Sequence, residues 1–494
     1  MAVLVVLRVT VELISTRVEI GPETTVIDGP LRPDGTIDYA AALNNEWAAG
    51  VTPDQNAAVD LLRGLGPGII DEEARDAYFA RLGIPVPPLE GEYLVDFRQF
   101  LETQGISQQN DLERFDELNE QHGTAMSRPW TRDEFPEVAA WLDGNRVPLE
   151  AILSASRRPR YFSPLIAPND SGLINVVMQT EQNSREAARV LTAQAMLELG
   201  SGEIDRAFEL TLACHRLARQ ISEHPTIIGS LISIALEAMV TQGDSAIVVD
   251  RRLTTEQAAE FRRRLQALPP TRTIAEICDR GERFMALDST LSLFAGRAID
   301  DQIPGAAVRM GFNPNPTLRR FNEFYDEAID VLKLSDHNER SRGFAELDER
   351  VSRRLEQDAH WWLQFALHSR SAVSEWIGDV LVRLLWPVLE QAAVAQDRRT
   401  IRLALCDIGY ALAEFRAGQG RFPEALDDLV PAFIEAVPLD PYTGAPYRYQ
   451  LTDGGFLLHS VSQNGVDDGG VMDVRVNKDD IAFGDLPEDE EEQE

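Results

Sequence analysis

Apolar positions along most of this chain recur at three- and four-residue intervals, the period of a helix that buries one face. A first helix is expected over Ile37–Ala49. Thr52-Pro53 opens the next, with Thr52 as its cap and Pro53 at the first helical position. Ala57, Leu61 and Leu62 line one side of it, and the glycines from Gly64 to Gly68 stop it. The clearest unit is Glu186–Ser222. One helix ends at Leu199, Gly200-Ser-Gly202 turns the chain, and a second helix places Ala207, Leu210, Cys214, Leu217 and Ile221 on one face. No second copy follows at about 34 residues, so the unit reads as a plain helical hairpin and not as a solenoid repeat.

Thr254 with Gln257 three residues on makes a capping box, and Pro269-Pro270 closes that helix. Helical spacing resumes over Ile274–Leu293. A loop is expected over Gly305–Pro316, and helix returns with breaks as far as Trp386. The stripe His360-Trp-Trp362 with Phe365 is expected to pack in a core. Ile401, Leu405, Ile408, Leu412 and Phe415 then form a single apolar seam. Period two is rarer. Val9, Val11 and Leu13 alternate with their neighbours, and Val18–Ile27 reads as extended. Tyr447-Arg-Tyr449 and Phe456–Ser460 alternate as paired strands around an Asp453-Gly-Gly455 turn.

These elements predict a mainly α fold, built of helical hairpins or a bundle, with a small α+β segment near its C-terminus. The expected divisions are an extended segment 1–30, a helical region 31–168, a helical domain 169–385, a module 386–484 and an acidic tail 485–494. Length agrees, since 494 residues exceed one ordinary core.

Charge narrows the partners. The net charge of −34 disfavours nucleic acid and anionic lipid for the protein as a whole, because their binders expose clustered Lys and Arg. A protein partner is expected. The compact basic-aromatic patch Arg157-Arg-Pro-Arg160 with Tyr161 and Phe162 is expected to pair with the chain's own carboxylates. The apolar run Ala2–Leu7 is far shorter than the about 20 residues that span a bilayer, so no membrane span is expected in the chain as written. Cys214, Cys278 and Cys406 are far apart, form no Cys-x-x-Cys, and are expected as buried free thiols.

No Gly-x-Ser-x-Gly elbow, His-Glu-x-x-His, Walker loop or dinucleotide fingerprint occurs, and no catalytic residue is assigned. The Gly64–Gly68 stretch lacks both the leading strand and the Lys-Ser/Thr of a phosphate loop. The densest oxygen donors lie in Asn464-Gly-Val-Asp-Asp-Gly-Gly-Val-Met-Asp473, with Asp479 and Asp480 after it. Calcium takes six to eight oxygen ligands, which closely spaced Asp and Asn on a Gly-rich loop supply. The spacing is not that of an EF-hand.

The succession of the Ile401–Phe415 seam, Gly418-Gln-Gly-Arg-Phe-Pro423, Pro438-Leu-Asp-Pro-Tyr-Thr-Gly444 and the paired strands resembles the C-terminal region of type II secretion major pseudopilins. The resemblance covers roughly 401–484. It implies calcium in the Asp-rich loop, carried over to Asn464, Asp467, Asp468, Asp473, Asp479 and Asp480. Pseudopilins place this helix directly after an apolar segment with a prepilin-peptidase motif. Nothing before it here resembles that motif, so the module reads as a borrowed fold. The rest of the chain is similar to bacterial envelope proteins that carry the same module, through Leu31-Arg-Pro-Asp-Gly35, Ile37-Asp-Tyr39, Asn56-Ala-Ala58 with Gly66-Pro67, Arg158-Pro-Arg160 and Cys214-His-Arg-Leu217. Such proteins start with a membrane-spanning helix before the segment matching Arg17–Pro30. The implied location is the cell envelope or periplasm, with a membrane anchor if the true start lies upstream and the cytoplasm as the alternative, and the implied role is a binding or scaffold protein. The alternatives are a hydrolase with its site between helical blocks and an accessory part of a secretion apparatus.

Overall fold

The computed structural model describes residues 17–167, 172–176, 178–295, 313–357, 370–473 and 478–485. The apolar run Ala2–Leu7, the alternation of Val9, Val11 and Leu13, the stripe from His360 to Phe365 and the acidic tail beyond Asp485 lie outside the described residues. The fold is mainly α with a small strand part. Helices α1 (Tyr39–Trp47), α2 (Ala57–Leu65), α3 (Glu72–Leu82), α4 (Phe97–Thr103), α5 (Leu112–Ala125), α6 (Pro136–Gly144) and α7 (Arg146–Ser156) precede α8 (Gln179–Gly200), α9 (Ile204–Ile221), α10 (Ile227–Val249) and α11 (Thr255–Gln266). Next come α12 (Ile274–Ile277) and α13 (Arg283–Ala295), joined by a π turn over Cys278–Glu282. They lead to α14 (Pro314–Leu332), α15 (His337–Gln357) and α16 (Arg370–Gln419). Five short strands end the fold: β1 (Arg448–Leu451), β2 (Phe456–Ser460), β3 (Met472–Asp473), β4 (Lys478–Asp479) and β5 (Ile481–Gly484).

The α8–α9 hairpin turns at Ser201 and Gly202, and Ala207, Leu210, Cys214, Leu217 and Ile221 are all buried. The Thr254–Gln257 capping box is present on α11. All three cysteines are buried and free. Two local expectations fail. The α2 cap is Asn56, because its side chain accepts from Ala58 N and also exchanges two hydrogen bonds with the backbone of Phe162. Thr52-Pro53 instead opens a turn. Val18–Ile27 is not extended, since the amides of Thr24, Thr25 and Val26 all return to the Gly21 carbonyl.

Helix α16 ties the molecule together. Its first half sends Val382, Trp386, Leu389 and Ala392 into a core shared with α1 and α12–α15. Its second half sends Ile401, Leu405, Ile408 and Leu412 into the larger core of α2, α4–α11 and the sheet. The division expected between residues 385 and 386 falls inside this helix, which runs on through Pro387. Helix α10 is long and apolar enough to cross a membrane, yet two-thirds of that stretch is buried inside the fold. It packs on α8, α9 and α16, and its buried Glu237 forms an ion pair with Arg219 while its buried Asp244 lies within hydrogen-bond distance of His215.

The three-stranded sheet is antiparallel in the order β1-β2-β5, with Tyr449 opposite Leu458 and Leu458 opposite Phe483. Strand β2 is central and buried along its whole length. Phe456 and Leu458 enter the large core, which by the two-residue period of a strand turns Leu457 and His459 to the other face. That face is where the Asp-rich loop between β2 and β5 lies. Gly470 sits on Leu457, and Asp467 meets His459. Ser245 of α10 pins β5 by exchanging hydrogen bonds with the backbone of Gly484.

Candidate functional site

Most oxygen donors of the Asp-rich loop are used to shape it. Asp479 accepts from the amides of Gln463 and Asn464 at 3.1 and 3.4 Å and faces Arg398 at 3.6 Å. The Asn464 side chain accepts from Val466 N at 2.6 Å and donates to Asp468 at 3.0 Å. Asp473 stands on β3 in register with Lys478 of β4. Asp479 and Asn464 thus organise turns, and Asp473 lies in a strand pair.

Asp480 differs. Its residue is 1% exposed, and Oδ2 accepts from the amides of Asp468 and Gly470 at 2.9 and 2.8 Å. Its other oxygen, Oδ1, is buried with no hydrogen-bond partner. His459 Nε2 lies 3.7 Å from Asp480 Oδ2 and 2.9 Å from Asp467 Oδ1, while His459 Nδ1 is also buried and unpartnered. One donor atom from each of His459, Asp467 and Asp480 falls within 4.8 Å of the others. Such a spacing suits three ligands of one cation. Of the six residues expected, the structure therefore brings Asp467 and Asp480 together, keeps Asp468 beside them through its amide, assigns Asn464 and Asp479 to turn formation, and leaves Asp473 on β3 opposite Lys478. His459 joins them and was not expected. Its signal was the period of β2, which put it under the loop.

The electrostatics separate the two carboxylates. Burial pushes Asp480 above the ordinary carboxylate range, partly offset by the Gly470 amide and His459. The hydrogen bond from His459 holds Asp467 below that range. A divalent cation would offset the cost of keeping Asp480 ionised there.

A second polar cluster lies where α9, α10 and α16 meet. His215 Nε2 is 2.7 Å from Asp244 Oδ2, and the Tyr410 hydroxyl donates to Asp244 Oδ1 at 2.9 Å. His215, Tyr410, Cys406 and Asp407 line a cavity of about 500 Å³ together with Arg219 and Arg262. Burial, and then Asp244, push the Cys406 thiol well up. It stays protonated and is a poor nucleophile.

No protein-family model, no curated protein and no solved structure matches this chain.

Proposed function

We propose that this chain is a non-catalytic binding or scaffold protein of the bacterial cell envelope, whose helical body carries a pseudopilin-like terminal module stiffened by a divalent cation. The observation that carries the cation reading is the buried Asp480 carboxylate, with one oxygen free of any donor and His459 and Asp467 beside it. Supporting the scaffold reading, α16 runs unbroken from one core into the other, and Arg398 on it faces Asp479 of the loop at 3.6 Å. The expected cation is calcium, by the resemblance of the module. His459 favours a second reading, zinc or manganese, because imidazole suits those metals better than calcium.

The test is the melting of the full chain in chelator, in millimolar calcium and in micromolar zinc. A rise with calcium supports the pseudopilin-like site, a rise with zinc alone supports the second reading, and no rise with either sinks the cation. Chemical cross-linking in envelope extracts then tests the scaffold role, which predicts a defined protein partner. The other polar cluster is where a hydrolase reading would be tested, by turnover of ester and amide substrates that Tyr410→Phe abolishes.

A further inference from the structure

The basic patch that the sequence singled out forms one wall of a cleft. Arg157, Arg158 and Arg160 line it from the segment after α7, Arg216 and Arg219 from α9, and Arg264 from α11. Pairing with the chain's own carboxylates accounts for only part of this set. Arg158 is 2.6 Å from Asp60, Arg219 is 2.6 Å from Glu237, and Arg264 is 2.5 Å from Glu209. Arg160 reaches only the Ala49 carbonyl, at 3.4 Å. Among the described residues, the side chains of Arg157 and Arg216 make no hydrogen bond or ion pair. Glu223 is the one further carboxylate in the wall. Even with Asp60 and Glu237 counted behind it, two positive charges remain unmatched.

The wall is built to hold these charges in place. The Gln220 amide donates to the carbonyls of Ala155, Ser156 and Arg158 at 3.0, 3.3 and 2.6 Å, stitching the arginine segment to α9. The Arg160 backbone bonds Gln55 and Ala57 on its other side. Burial, and then the neighbouring Arg264, hold Arg216 below the usual arginine range, partly offset by Glu209. The cleft holds about 720 Å³, and Tyr161, Leu268 and Pro269 give it an apolar side. That volume lies within the range of small-molecule sites, roughly 300 to 1,000 Å³. The net charge of the chain does not forbid an anion there, because exposed charges farther than about 8 Å are screened at physiological salt.

We propose that this cleft binds a small organic anion with at least two negative charges, a phosphate ester or a polycarboxylate, through the guanidiniums of Arg157 and Arg216. The planar fork of arginine matches both oxyanions, and the apolar side takes the organic part. This site is independent of the loop around Asp480.

The test is calorimetric titration of the full chain with phenyl phosphate and with citrate, at low and at physiological ionic strength. Binding of phenyl phosphate alone identifies a phosphate-ester site, and binding of citrate alone a polycarboxylate site. In either case affinity falls with salt. Arg157→Gln with Arg216→Gln should weaken the bound probe by about a hundredfold, about tenfold for each guanidinium. The ligand-free melting midpoint should change little, since neither side chain makes a hydrogen bond or ion pair and each acts on Glu209 only through space. Should the double variant not fold, Arg157→Gln alone, on an exposed side chain, carries the test with its tenfold loss. Failure of both probes to bind, or equal affinity in wild type and variants, overturns the proposal.

Discussion

Replacing Asp480 by Asn separates two roles that the buried carboxylate plays. In chelator, the substitution removes a charge whose burial is unfavourable and keeps one oxygen to accept from the Asp468 and Gly470 amides. Those two bonds weaken, since a bond to a charged acceptor is worth about 1.5–3 kcal/mol and one to a neutral acceptor about 0.5–1.5. The loss of roughly 2 kcal/mol is opposed by relief of the desolvation that pushes Asp480 up. The net change in chelator is therefore expected within about 1 kcal/mol of zero. With the cation present the balance differs. At a hundred times its dissociation constant a ligand stabilises by about 2.7 kcal/mol, and if the lost carboxylate weakens binding a hundredfold, only about 0.4 kcal/mol remains. The assay is thermal or denaturant unfolding of wild type and Asp480→Asn, each with and without cation. An equal cation-induced rise in both proteins would refute Asp480 as a ligand. A large loss in chelator alone would make it a backbone anchor and nothing more.

Other consequences can be measured with the same preparation. Gly409→Ala on α16 should destabilise by about 1–3 kcal/mol, because the new methyl overlaps Cε1 of Phe483 and lies 2.9 Å from its Cδ1. Gly418→Ala on the same helix meets nothing closer than 3.8 Å and should stabilise by about 0.5–1 kcal/mol. Hydrogen exchange of the β2 amides reads both signs. His122 stacks on Phe97 at 4.4 Å, and burial, with Arg189 behind it, lowers its pKa to about 4. Its folded value lies below the unfolded one near 6.5, so the unfolded chain binds more protons between them. Stability should fall as pH drops through that window, by about 1.4 kcal/mol per pH unit at most, and His122→Phe should remove that part of the slope. Gly281→Ala in the π turn should fail to fold to a native state, because the methyl would overlap the Pro225 carbonyl. Near-ultraviolet circular dichroism like that of wild type would contradict this.

What the sequence made legible, and what it hid, follows from where each residue's decisive partner lies. The α8–α9 hairpin, the Thr254 capping box and the seam from Ile401 to Leu412 depend on neighbours within a turn or two, and their spacing displays them. Asn56 could not be found that way. Its claim on the α2 cap comes from Phe162, 106 residues on, and that distant bond outweighs the local fitness of Thr52-Pro53. Pro387 removes one helical hydrogen bond, yet α16 continues because residues on both sides of it are held in packed cores. The site repeats the lesson. Composition pointed to the Asp-rich loop, but such a loop holds both carboxylates that form turns and carboxylates that stay free to be candidate ligands, and only their donors distinguish them. Asp479 caps the turn at Gln463 and Asn464, whereas the adjacent Asp480, one step along the strand period, faces inward to His459. The arginine patch divides likewise. Arg158 found Asp60, which the sequence reading allowed, while Arg157 beside it points into a cleft whose other wall, α9, is some 60 residues away in the chain. The candidate binding residues of this fold thus sit where distant segments meet, and it is there that substitutions will test the two proposals.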